Sequence, residues 1–61
     1  MSHLQGMEQI CDYFGRGEAS VLKLIREEGF PAVKIAGTWE SKKDIIDDWR
    51  DSKIKNSQGN G

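Results

Sequence analysis

Sixty-one residues limit the chain to one small domain, because a chain of this size buries only about 60% of the surface its unfolded form exposes. At 36% hydrophobic and 31% charged its composition is globular, with room for roughly a dozen core side chains and none for an enclosed catalytic cavity. Nine basic and ten acidic residues leave a net charge of −1, without the basic excess usual in domains that grip phosphates.

The start, Met1-Ser2-His3-Leu4-Gln5-Gly6, has no signal-peptide pattern and no period, so residues 1–6 are expected to be a flexible segment. Met7, Ile10, Cys11 and Phe14 then recur at i, i+3, i+4, i+7, which predicts one apolar face of a helix. Gly15-Arg16-Gly17 breaks that helix and permits a tight change of direction. A second helix follows, with Val21, Leu24 and Ile25 on its inner face and Ala19, Ser20, Lys23, Arg26 and Glu27 pointing away. Gly29 is placed to end it, and Phe30-Pro31 prevents its continuation.

Ala32-Val33-Lys34-Ile35 alternates as a half-buried strand does, and Ala36-Gly37-Thr38 reads as a three-residue turn into a returning strand, Trp39-Glu40. That register sets Ile35 opposite Trp39 on the core side and Lys34 opposite Glu40 outside. Ser41-Lys42-Lys43-Asp44 reads as a capping box opening a third helix, striped by Ile45, Ile46 and Trp49. From Lys55 onward the chain is polar and aperiodic, so residues 55–61 are expected to be a disordered tail beyond a domain of residues 7–54. The expected core is Ile10, Phe14, Val21, Leu24, Ile25, Val33, Ile35, Trp39, Ile46 and Trp49.

One cysteine and one histidine exclude an internal disulfide and a zinc site. No carboxylate pair, Ser/His/Asp set or phosphate-cradling loop stands at useful spacing, so an enzyme is not expected, and neither is a cofactor. The absence of a long apolar run argues for a soluble, cytoplasmic protein.

Two helices around a glycine turn suggest helix-turn-helix geometry. Cys11 fits the small-residue position of that motif and Gly15 its turn glycine; Ile10, Phe14, Val21 and Leu24 fit its apolar positions. The run from Leu24 to Trp39, with Pro31-Ala32-Val33-Lys34-Ile35 at its centre and Trp49 beyond, resembles the linker and wing of excisionase-type, MerR-like winged helices. The resemblance covers roughly residues 7–50. It implies a small α+β winged helix-turn-helix: three helices, with a two-stranded hairpin wing between the second and third.

The resemblance also implies double-stranded DNA binding, as in phage and mobile-element transcription regulators, excisionases and terminase small subunits. Carried over by position, Arg16, Glu18, Ala19, Ser20 and Lys23 would face the major groove. Lys34 and Thr38 would belong to the wing, and Lys42 and Lys43 would flank phosphate at the third helix's start. Glu18 is either a charge favoured at a helix start or an acceptor for cytosine N4. Thr38 and Glu40 stand where wing residues are often basic, so a single copy should bind weakly and act as a homodimer or cooperative array. The alternative is a protein–protein interaction module derived from a winged helix, with the acidic face of Asp47, Asp48 and Asp51 as its feature.

Overall fold

The Met7, Ile10, Cys11, Phe14 stripe winds into α1 (Met7–Phe14), and the Val21, Leu24, Ile25 stripe into α2 (Glu18–Glu27). The structure, a computed structural model, describes residues 2–59. Gly15 closes α1 in the left-handed conformation at φ 83°, and its N–H and that of Arg16 both donate to the Cys11 carbonyl, at 2.8 and 3.3 Å. This satisfies a carbonyl that a helix end otherwise leaves open. After α2 the chain forms β2 (Val33–Ile35), β3 (Thr38–Lys42) and α3 (Lys43–Gly59).

Three helices thus pack with a three-stranded antiparallel sheet, because residues 3–5 are a strand, β1 (His3–Gln5). The strand order is β1-β3-β2. A flexible start and a two-stranded hairpin were the expectation, and both are corrected. Leu4 pairs with Ser41 and is buried in the core, while the Gly6 N–H donates to the Trp39 carbonyl at 2.7 Å. Three residues are too few to show a period, and their strand exists only through pairing with β3.

The hairpin register is the second correction. Ile35 pairs with Thr38, Lys34 with Trp39 and Val33 with Glu40, so the loop is the two residues Ala36 and Gly37. Both have positive φ, 51° and 83°, the backbone of a type I′ turn whose twist matches that of the strands. Trp39 stays on the core side with Leu4 and Ser41. With a two-residue loop it is then Val33 and Ile35 that face outward, not Trp39. Burying the half of either that is exposed would contribute roughly 1–1.5 kcal/mol, which the isolated fold forgoes.

The third correction is at the start of α3. Ser41 lies in β3 and its hydroxyl donates to the Pro31 carbonyl at 2.6 Å, so it ties the strand to the linker and caps nothing. The Lys43 N–H is taken by the Ser2 carbonyl at 2.8 Å. Farther on, α3 continues to Gly59, so residues 55–59 are helical where a disordered tail was expected. Extending a docked helix adds one hydrogen bond per residue fixed, which needs no apolar period. The end of the expected tail, residues 60–61, lies outside the described residues.

Leu4, Ile10, Val21, Phe30 and Ile46 are buried at the centre, with Phe14, Leu24, Ile25, Trp39 and Trp49 packed partly against them. Phe30 and Leu4 replace Val33 and Ile35 of the expected core. Among the described residues no helix is long and apolar enough to cross a membrane.

Candidate nucleic-acid interface

Val21 is fully buried and its neighbours Leu24 and Ile25 are half-buried, which turns Glu18, Ala19, Ser20 and Lys23 to solvent. Arg16, in the turn, joins Ser20 and Lys23 along one shallow groove of about 370 Å³ that ends at Glu27 and Glu28. The structure therefore brings three of the expected residues together: Arg16, Ser20 and Lys23. Glu18 and Ala19 are exposed on the same helix outside that groove.

Side chains of α3 reach the C-terminal ends of α1 and α2, a contribution that no short-range pattern reveals. Arg50 donates from Nη2 to the Phe14 carbonyl at 2.8 Å, with its guanidinium carbon 4.5 Å from the Phe14 ring centroid. Trp49 Nε1 donates to the Glu28 carbonyl at 3.3 Å, and Lys53 Nζ lies 2.9 Å from Glu28 Oε1. Cationic side chains thus meet the negative C-terminal ends of both α1 and α2. Between them Phe14, Phe30 and Trp49 form an aromatic cluster, with ring centroids 5.0 to 6.1 Å apart.

The remaining expected residues are dispersed. Lys34 lies across the strand pair from Trp39, not Glu40, and its ammonium sits 5.6 Å from the indole centroid. Thr38 is half-buried opposite Ile35. Lys42 stands beside His3 on the sheet's outer face, whereas Lys43 turns toward α1, 5.4 Å from the Tyr13 ring centroid. The two lysines do not form the pair that a capped helix start would have made.

Among the described residues the ion pairs are His3 Nε2 with Glu40 Oε1, at 2.9 Å, and Lys53 with Glu28. Arg16, Lys23, Lys34 and Lys42 belong to neither. The acidic face of α3 is partly engaged, since the Tyr13 hydroxyl donates to Asp47 Oδ1 at 2.7 Å. That hydrogen bond, with some desolvation and the Asp47 charge, raises the Tyr13 pKa above its ordinary value. Burial pushes the Cys11 thiol up too, and the Glu18 and Asp12 carboxylates add to it. No group of three or more His, Cys, Asp or Glu that could hold a metal ion occurs among the described residues. No family model, curated protein or solved structure matches the chain.

Proposed function

We propose that the chain is a winged helix-turn-helix module that binds double-stranded DNA, with α2 presented to the major groove and the β2–β3 hairpin as the wing. One observation carries this reading: α2 follows a three-residue turn and exposes Arg16, Ser20 and Lys23 along one groove, with both cations outside any ion pair among the described residues. A rod that follows a tight turn and is held at its C-terminal end by Trp49 and Lys53 is what major-groove docking needs. Lys34 supports it from the hairpin, where the Trp39 ring limits its freedom. Lys42 and Lys43 are left out of the surface, because they diverge. The reading also places the protein in the cytoplasm, with its DNA target.

The test is binding to a randomised duplex pool, followed by fluorescence anisotropy at increasing salt. Affinity should fall with salt by about 0.9 in the log–log slope for each phosphate neutralised. Lys23→Ala should cost roughly 1–3 kcal/mol and relax preference at one base position. A folded protein that binds no duplex at low salt, singly or on paired sites, overturns the proposal. The second reading, a protein-interaction module, is favoured by the outward position of Val33 and Ile35.

A further inference from the structure

Val21 is fully buried, which fixes how α2 is rotated on the core. At about 100° per residue, the positions turned farthest from Val21 are Ala19, Lys23 and Arg26, spaced i, i+4, i+7 along one outward ridge. All three are exposed. Lys23 borders both this ridge and the groove that Arg16 and Ser20 line, whereas Arg26 lies outside that groove, across the ridge. Neither Lys23 nor Arg26 belongs to an ion pair among the described residues. Of the nearby carboxylates, Glu28 is held by Lys53, while Glu18 and Glu27 are exposed to either side of the ridge.

We propose that Arg26 is a base-reading residue of α2, and that the duplex site carries a guanine at Arg26, a second guanine at Lys23 and a thymine at Ala19. The inference rests on the duplex-binding reading above and names its target. Chemistry selects the bases: a guanidinium or ammonium in the major groove pairs with guanine O6 and N7, and an alanine methyl suits the methyl of thymine. Spacing sets them close together. The ridge residues are separated by about 6 and 4.5 Å along the helix axis, against a base-pair rise of about 3.4 Å, so the three bases fall within about four base pairs. At ten residues, about 15 Å, α2 is short enough for its last turn to stay in a groove about 12 Å wide. Charge favours base contacts over phosphate contacts. The outermost line of a helix in the major groove meets base edges, and its flanks meet the phosphate rims. Glu18 and Glu27 stand on those flanks, and the net charge is −1, so affinity for a random duplex is low and depends on the ridge.

The test measures base preference, by selection from a randomised duplex pool at fixed salt and then anisotropy on single-base variants of the selected site. Wild type should select two guanines and a thymine within about four base pairs. Arg26→Gln should move the preference at one guanine position to adenine, because glutamine pairs with adenine N6 and N7, and leave the other positions unchanged. The relative affinity for guanine over adenine there should change by about tenfold or more. Arg26 is exposed, so the variant should keep the circular dichroism of the wild type. Lys55→Ala, exposed on α3, is the control and should leave every preference as it was. A cation that served only the helix dipole or a phosphate would give uniform weakening without a change of preference, and that result overturns the proposal. So does a selected site without guanine. A folded wild type that binds no duplex removes the duplex-binding reading itself, whereas a wild type that binds and an Arg26→Gln variant that still prefers guanine remove this inference alone.

Discussion

Single side chains divide into those that hold the fold and those that are free to act. Phe30 is buried between the rings of Phe14 and Trp49. Truncating it to alanine should cost about 3–5 kcal/mol in urea unfolding, a large share of the stability available to so small a domain. Tyr13 is the sole tyrosine, so its ionisation can be read directly from tyrosinate absorbance. Its pKa is raised in the folded state, so any stability it contributes is present below the unfolded tyrosine pKa and lost as pH rises through the folded one. The absorbance midpoint should fall in Asp47→Ala; an unmoved midpoint would show that the hydrogen bond is not kept in solution. Cys11 should alkylate more slowly in the folded protein than in the unfolded chain, because burial and nearby carboxylates disfavour the thiolate.

At the scale of elements, the helices and the two strands of the hairpin were legible, whereas β1 and the hairpin register were not. The α1 and α2 stripes repeat over two or more turns, so the 3.6-residue period is visible without any partner. The hairpin offered one turn of ambiguous length, and the difference of one residue exchanges the two faces of β2. Ala36 holds φ at 51° in that turn, a conformation that costs an alanine roughly 1 kcal/mol. Ala36→Asn should therefore raise the unfolding free energy by about 0.5–1 kcal/mol, since asparagine before glycine suits this turn. A destabilised Ala36→Asn variant would argue instead for a longer loop. Gly15→Ala should go the other way, by a similar amount, at φ 83° with no other atom in its way.

For the whole molecule, α3 is the member that joins the parts. Its first half carries Ile46 into the core, and Arg50 and Trp49 hold the ends of α1 and α2. Lys53 makes the last of these contacts among the residues whose side chains are described, and Ile54, Lys55 and Asn56 are exposed. Truncating the chain after Lys55 should thus change stability by less than about 0.5 kcal/mol. Truncation before Ile46 should abolish cooperative unfolding by circular dichroism. A large loss from the shorter cut would mean that the end of α3 is supported by something beyond its own hydrogen bonds.

Local period and turn residues were enough to place α1, its glycine stop and α2, and so to bring Ser20 and Lys23 to one exposed face. They could not place β1, because a three-residue strand earns its conformation from the strand beside it. Nor could they assign Ser41, whose hydroxyl serves an irregular linker carbonyl ten positions back. Lys42 and Lys43 look alike in sequence, yet the end of β3 and the start of α3 send them to opposite surroundings. The packing of Trp39 and Leu4 against one face of the sheet decided that Val33 and Ile35 take the other. Periodicity says which residues share a face; which face meets the core is settled by partners far away in the chain.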